Sequence, residues 1–290
     1  MRSIWSGDAK NAFYSSESFD SQRILALAEE TYDAKKAKTC YYVLGVDVGR
    51  IGCTTEVCVF KVSPQPMGTS IKSLVNIYTY EAKDFEEQSI ALKKLYYKYK
   101  ARSIAIDANG LGVGLVDFLT KSQVDPETGD VLPPFGVEGG TTENVTDLYK
   151  DIKGAGVEAN ALFLIKANAN LNSEAYSYAH TQLSSSKIKF LIDEAQAKTK
   201  LMTTKAGQAM TSEQRNEYLR PYVLTSSLKG QMLNLAEENQ GVNIVLKQVS
   251  HGIPKDKFSA FIYGLYYIKQ EEDRQKKKRR RSMSDFMFFS

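Results

Sequence analysis

Alternating and continuous apolar runs indicate a series of strands in the first half of this chain. Residues 41–50 read Tyr-Tyr-Val-Leu-Gly-Val-Asp-Val-Gly-Arg, which predicts a strand over 43–48 that is buried on both faces. Residues 56–62 and 71–81 alternate between the two faces, so they predict two further strands in antiparallel succession. A helix is predicted over 84–99, because apolar residues recur there at helical spacing after a capping aspartate.

A second short apolar run, residues 103–107, ends in a carboxylate as the first one does. Because a helix precedes it, we expect this strand to lie parallel to the first, joined by a right-handed crossover. Asp47 and Asp107 would then lie at the same, C-terminal, edge of adjacent strands. Open α/β sheets bind their ligands at this edge.

The hydrophobic pattern weakens in the remaining segments, where fewer elements are predicted. Helices are predicted over 21–34, 172–183 and 223–239, and strands over 134–137, 187–192 and 242–249. No element is predicted from 147 to 171.

The last predicted helix begins at Pro254, whose ring suits a first helical turn. Asp256, Ala260 and Gly264 follow at spacings of four, so one stripe of this helix has almost no side chain beyond its acid. A small stripe allows the helix to lie close on the sheet. The carboxylate of Asp256 is then expected to approach the strand edge.

Composition indicates a globular protein with a sizeable core, since 42% of its 290 residues are hydrophobic. The longest uncharged apolar helical segment, 258–268, is too short to span a bilayer, and there is no N-terminal signal sequence, so cytoplasmic residence is expected. Three clustered cysteines predict reduced packing residues and no disulfide framework, and two histidines do not favour a zinc site.

Positive charge is concentrated near the C-terminus. The net charge is +4, and residues 276–281 supply six positive charges, which leaves 4 − 6 = −2 for the rest of the chain. A nucleic-acid surface on the body would therefore require uneven placement of charge.

Three carboxylates on two strands and a returning helix have the chemistry to hold two hard divalent cations. Two such cations activate a water and stabilise the departing oxygen in displacement at phosphorus, so phosphodiester hydrolysis is the predicted reaction class. In this hypothesis Asp47 bridges both ions, while Asp107 and Asp256 each bind one, in interchangeable roles. The alternative for Asp47 is a strand-end acid that caps a turn.

The order of the three acids resembles that of ribonuclease H-like nucleases, and four stretches resemble the nuclease domain of the large terminase subunit of tailed phages. These stretches are 4–13, 41–50, 105–112 and 255–260. The resemblance implies an α/β fold with a mixed central sheet and helices on both faces. It also implies that the three aspartates are catalytic metal ligands for Mg²⁺ or Mn²⁺, and that the enzyme cuts concatemeric double-stranded DNA.

The same resemblance implies several partners and a domain organisation. The partners are a packaging ATPase domain, a small terminase subunit and a portal, and the location is the host cytoplasm during phage assembly. Because the chain contains no Gly-Lys dipeptide, it lacks the phosphate-binding loop of the motor and is expected to cut without pumping. We therefore expect an arm over 1–40, a nuclease domain over 41–272 and a basic, flexible tail over 273–290.

Additional basic residues have two interpretations each. His251 either orients a water or phosphate or is an ordinary loop histidine, and Lys255 and Lys257 either contact phosphate or are solvated lysines at a helix start. The densest basic stretch of the body predicts either a DNA-facing surface or a solvated face; it comprises Lys187, Lys189, Lys198, Lys200 and Lys205.

Two rival functions remain open from the sequence. An actin-like sugar kinase or ATPase also begins with a Gly-x-Asp-x-Gly hairpin such as residues 45–49, but it would need a second glycine-rich phosphate loop. The other rival is a non-catalytic DNA-binding module whose acids are structural. Metal-dependent cleavage of DNA separates both from a nuclease.

Overall fold

A computed structural model of the chain describes residues 12–36, 38–49, 54–66, 68–81, 84–149 and 158–287. The strands are β1 (Arg23–Leu25), β2 (Tyr41–Asp47), β3 (Thr54–Ser63), β4 (Ile71–Glu81), β5 (Ser103–Asp107), β6 (Gln123–Val124), β7 (Val131–Leu132), β8 (Phe135–Gly140), β9 (Glu158–Ile165), β10 (Ile188–Leu191), β11 (Leu235–Gln240) and β12 (Asn243–Gln248). The helices are α1 (Ser16–Asp20), α2 (Phe85–Tyr99), α3 (Leu111–Leu119), α4 (Glu143–Asp147), α5 (Ala169–Ser184), α6 (Glu194–Met202), α7 (Lys205–Ala209), α8 (Ser212–Leu233) and α9 (Asp256–Met287).

Eight strands form a mixed central sheet in the order β1-β10-β4-β3-β2-β5-β9-β8. Strands β2, β3 and β4 are antiparallel in succession, as their alternating patterns predict. Strand β5 lies parallel to β2 after the crossover through α2, which confirms the predicted placement. The other pairs, β5 with β9, β9 with β8, β4 with β10 and β10 with β1, are also parallel.

Helices cover both faces of this sheet, as expected for the predicted α/β class. On one face, α5, α8 and α9 pack on side chains such as Val43, Phe60 and Phe163. On the other face, α2 and α3 pack on side chains such as Leu44 and Ile104. Because successive strand residues point to opposite faces, neighbours such as Val43 and Leu44 divide between the two cores.

Helix α9 lies unusually close to β2, where two glycines face each other. A Cβ atom on Gly45 would collide with the carbonyl oxygen of Ala260 and lie 2.7 Å from the backbone nitrogen of Gly264. A Cβ atom on Gly264 would lie 2.5 Å from the ring of Phe60. The close approach predicted from the stripe of small residues is therefore confirmed.

The predicted helix over 21–34 is wrong, because tertiary hydrogen bonds hold part of this segment as strand β1. The backbone nitrogen of Phe190 donates to the carbonyl of Gln22, and that of Ile192 donates to the carbonyl of Leu25, both at 2.9 Å. Edge pairing with β10 thus overrides the helical spacing of the apolar residues.

The predicted helix over 223–239 is also misplaced. Helix α8 begins at Ser212, with a capping box formed by Thr211 and Gln214, and ends at Leu233. The six residues after Asn234 pair with β12 as strand β11 instead. Strand β9, which lies between β5 and β8, has no counterpart among the predicted elements.

The ends of the described chain are continuous with the domain. Tyr14 and Phe19 are buried in the core, and β1 is the edge strand of the central sheet. Helix α9 runs across residue 273 to Met287. The divisions predicted at 40/41 and 272/273 thus do not coincide with a break in the sheet or in α9, and the separate roles of arm and tail stay predictions. Across the described residues, no helix is both long and apolar enough to cross a bilayer.

Candidate metal centre

A row of acidic side chains crosses the sheet where β2 ends. Val46 pairs with Ile106, so Asp47 and Asp107, the last residues of β2 and β5, lie side by side. On the other side of β2, Asp47 lies directly opposite Glu56 of β3. The predicted placement of Asp47 and Asp107 at one edge of adjacent strands is confirmed.

All three strand acids point to the face that α9 covers. Val43 belongs to the core beneath α9, and Gly45 meets α9 directly, so Asp47, in the same alternation, shares their face. Ala105 of β5 belongs to the same core, which places Asp107 on that face as well. Glu56 follows from its position directly opposite Asp47.

Asp256 joins this row from above, because it is the first residue of α9. Burial, followed by the charges of Asp256 and Asp107, raises the pKa of Asp47 from its ordinary value to about 8. Such direct charge effects require the three carboxylates to lie near one another. The structure thus brings together the three aspartates singled out by the sequence.

The other two aspartates are also more basic than usual. Burial raises the pKa of Asp107, although hydrogen bonds from Asn109 oppose the shift. Burial and then the charge of Glu56 raise the pKa of Asp256, against the opposing charges of Lys257 and Lys255. Burial is thus the largest cause of the raised pKa at all three aspartates, and nearby lysines offset it only in part at Asp47 and Asp256.

Two residues of this site were not predicted from the sequence. Glu56 is almost fully buried and contributes to the raised pKa values of Asp47 and Asp256. Tyr263 lies about two turns after Asp256 on α9, and burial, followed by the charges of Asp107 and Asp47, raises the pKa of its phenol. The register of the β2–β3 hairpin would have placed Glu56, and the helical spacing would have placed Tyr263.

The structure contradicts one of the two interpretations of Lys257. Its ammonium lies 2.8 Å from Oε1 of Glu56, and its side chain is only 10% exposed, so it is not a solvated lysine, and a contact with phosphate stays a prediction. Lys255 is exposed, and its charge lowers the pKa values of Asp47 and Asp256. His251 is exposed in the loop before α9.

The basic stretch of the body is spread over several elements. The register across β10, β4 and β3 places Lys189 level with Tyr42 of β2. Tyr42 lies five residues before Asp47, which is about 16 Å along the strand. The ammonium of Lys189 donates to the side chain of Gln22 at 2.7 Å. Lys187 precedes β10 still farther from the acidic edge. The remaining three are exposed on α6 and α7: Lys198, Lys200 and Lys205.

The donor set fits a hard divalent cation, since it consists of carboxylate oxygens alone. In the described part of the chain, Asp47, Asp107 and Asp256 have no ion-pair partner. The same part of the chain contains no group of three His, Cys, Asp or Glu side chains already arranged as a metal site.

The site lies on a mixed sheet that has helices on both faces and acids at the ends of adjacent strands. The chain is similar to two crystal structures of the large terminase nuclease from thermophilic phage G20c, one with bound magnesium (TM-score 0.51) and one with bound cobalt (TM-score 0.50). In both cases the identity is 12%, and the match covers 89% of this chain and 97% of the other.

At this identity the likeness establishes the fold, so the chain has the ribonuclease H-like fold of large terminase nucleases. No protein-family model matches the sequence, and no curated protein does either. The roles of the residues therefore depend on the geometry of this chain.

Proposed function

We propose that this chain is a divalent-metal-dependent DNA endonuclease of phage DNA packaging. The observation that carries the proposal is the convergence of Asp47, Asp107 and Asp256 from β2, β5 and α9 at one sheet edge, where carboxyl groups outnumber the lysines that act on them. The fold shared with large terminase nucleases supports the same conclusion.

In this proposal Asp47 lies between the other two acids and would contribute to both of two cations, Mg²⁺ or Mn²⁺. Asp107 and Asp256 would each hold one of them. Bound cations of this kind activate a water and stabilise the departing oxygen of a phosphodiester. Lys255 is exposed beside the acids and would contact a phosphate oxygen of the DNA, and exposed His251 would orient a water or phosphate.

The proposed substrate is concatemeric double-stranded DNA in the host cytoplasm. The proposed partners are a packaging ATPase domain, a small terminase subunit and a portal. Exposed lysines on α6 and α7 would supply DNA backbone contacts away from the acids: Lys198, Lys200 and Lys205. Such contacts would be independent of sequence and would weaken with added salt.

Cleavage of supercoiled plasmid in Mn²⁺ tests this function. Asp47→Ala, Asp107→Ala and Asp256→Ala should each reduce nicking by more than about 100-fold, since changing even the partners of metal ligands costs about 10- to 100-fold. Asp130→Ala, which changes an exposed acid in the β6–β7 turn, serves as the matched control and should cut like the parent.

Three results would contradict the proposal. An inactive parent would favour a non-catalytic DNA-binding module, and activity unchanged in Asp47→Ala would remove the acids from the reaction. Measurable ATP binding by the chain would support the actin-like kinase or ATPase instead.

A further inference from the structure

A buried ion pair lies directly beneath the candidate metal centre. The ammonium of Lys257 lies 2.8 Å from Oε1 of Glu56, and the two side chains are 10% and 1% exposed. Lys257 follows Asp256 in α9, and Glu56 lies opposite Asp47 in the sheet. The pair therefore joins the element that carries one candidate ligand to the strand beside another.

Both carboxylate oxygens of Glu56 already have hydrogen-bond donors. Oε1 accepts from the hydroxyl of Thr54 at 2.9 Å as well as from Lys257, and Oε2 accepts from the hydroxyl of Thr79 at 2.7 Å. A carboxylate held in this way is oriented by the protein toward the lysine. It is poorly placed to turn toward a cation among the aspartates.

The first turn of α9 is anchored at further points. The backbone nitrogen of Phe258 donates to the side-chain oxygen of Gln231 at 3.0 Å, and the carbonyl of Lys257 lies 3.7 Å from Sγ of Cys58. These contacts restrict the backbone that carries Lys257. Its flexible side chain is then directed mainly by the charge of Glu56.

Without Glu56, Lys257 would still have the carboxylate of Asp256 as a neighbouring negative charge. The charge of Lys257 already acts on Asp256 across the existing arrangement, and a buried ammonium that loses its partner seeks another. An ammonium between Asp256 and Asp47 would occupy the place where a divalent cation would bind.

We infer that Glu56 is a positioning residue, which holds the ammonium of Lys257 away from Asp47 and Asp256 and so leaves those carboxylates available to a divalent cation. This role rests on the proposed function but concerns residues that do not themselves bind the cation. It also explains why a lysine can be buried next to a site that would need to attract positive ions.

Mn²⁺ binding, followed by the electron paramagnetic resonance signal of free Mn²⁺, tests this role. Glu56→Gln should weaken Mn²⁺ binding by about 10- to 100-fold, which is the usual loss in metal affinity when a residue that supports the metal ligands is changed. The double variant Glu56→Gln/Lys257→Met removes the released ammonium as well, so its affinity should return to within a few-fold of the parent.

Two outcomes would overturn the inference. If the double variant binds Mn²⁺ as weakly as Glu56→Gln, then Glu56 is itself a ligand. If Glu56→Gln binds as tightly as the parent, then Glu56 does not control Lys257. Should Glu56→Gln fail to fold, Thr79→Val releases one oxygen of Glu56 while keeping both charges; it should weaken binding several-fold, and unchanged affinity would again overturn the inference.

Two further proteins complete the experiment. Glu272→Gln makes the same acid-to-amide change in another buried ion pair of α9, with Lys72, and should leave Mn²⁺ affinity unchanged. Asp47→Asn tests the site itself. If the parent does not bind Mn²⁺, or Asp47→Asn binds equally well, the proposed function fails and the inference with it. If that part succeeds and Glu56→Gln binds normally, only the inference fails.

Discussion

Helix α9 carries a buried lysine–glutamate pair near each end of its packed portion, and the surroundings of the two pairs differ. At the far end, Lys72 and Glu272 lie 2.8 Å apart. Glu272 also accepts from the backbone of Ser70 and the hydroxyl of Tyr178, and Lys72 also donates to Gln182. One acid therefore matches one base, and the buried polar groups have hydrogen-bond partners.

At the first turn, the Lys257–Glu56 pair is equally close, but further carboxyl groups lie near it: the charge of Glu56 acts on Asp47 and Asp256, and Asp107 in turn acts on Asp47. Among the described residues, the only other cation shown to act on them is exposed Lys255. Charges that serve the fold alone are paired, because unpaired buried charges are costly. Beside Lys257 the carboxyl groups outnumber the lysines that act on them, and in the proposed function a bound cation would balance them.

The largest expected effect is a loss of stability, and it concerns the Lys72–Glu272 pair. Glu272→Gln leaves the buried ammonium of Lys72 without a counter-charge, so it should lower the free energy of unfolding by roughly 3–5 kcal/mol. Urea denaturation measures this change. Glu217→Gln, in the exposed pair with Arg220, is the control and should change stability by less than about 1 kcal/mol. Equal effects of the two variants would show that the Lys72 pair is not buried.

The close packing that delivers Asp256 predicts a smaller effect. Gly45→Ala places a methyl group against the backbone of α9, so it should destabilise the protein by about 1–3 kcal/mol or more and also weaken Mn²⁺ binding. Gly230→Ala, where nothing lies within 4 Å of the new Cβ, should instead stabilise α8 by about 0.5–1 kcal/mol. If Gly45→Ala unfolds like the parent, α9 does not lie against β2 as described.

At the candidate metal centre, replacing an aspartate by asparagine is expected to stabilise the protein when no metal is bound. The pKa of Asp47 is raised to about 8, whereas the unfolded chain releases this proton near pH 4, so the metal-free parent should lose stability as pH rises between these values. In chelator at pH 8, Asp47→Asn and Asp107→Asn should therefore unfold at higher temperature than the parent. For Asp47→Asn the gain should be on the order of 2 kcal/mol and should vanish below about pH 4.

Melting temperatures measured in chelator across this pH range test the prediction. Asp130→Asn, which changes an exposed acid, is the control and should melt like the parent. A lower melting temperature for Asp107→Asn than for the parent in chelator would show that the acids do not repel one another.

The smallest expected effect concerns Lys255. This exposed lysine acts on Asp47 and Asp256 from solvent, so Lys255→Met should tighten Mn²⁺ binding only a few-fold, and added salt should reduce the difference. Calorimetric titration at two salt concentrations measures both. Weaker binding in Lys255→Met would mean that this side chain supports the site in another way.

Much of the fold was predictable where the pattern is local. Strands β2, β3 and β4 have clear apolar patterns and follow one another in the chain. Strand β5 is recognisable as a short apolar run that ends in an acid. Strand β9 was missed because its short apolar run, 161–165, has no periodicity that separates strand from helix, and its place between β5 and β8 depends on distant pairing. Strand β1 was missed for the same reason, since β10 supplies its hydrogen bonds.

The three candidate metal ligands were predictable from the sequence, whereas the residues that support them were not. Asp47, Asp107 and Asp256 were identifiable because each ends a strand or begins a helix, which are positions where ligands bind. The pairing of Glu56 with Lys257 could not be identified from the sequence, because it depends on the register of the β2–β3 hairpin and on which face of α9 is buried. Lysines near an acid look solvent-facing in a sequence, and only packing shows which one is enclosed.

The most direct test of the central claim is anomalous diffraction from a crystal soaked in Mn²⁺. We expect manganese density between the carboxylates of Asp47, Asp107 and Asp256, with Lys257 still paired to Glu56, and no such density in Asp47→Asn. Manganese bound elsewhere, or an aspartate edge without manganese at saturating concentration, would contradict the assignment of these three acids as a cation site.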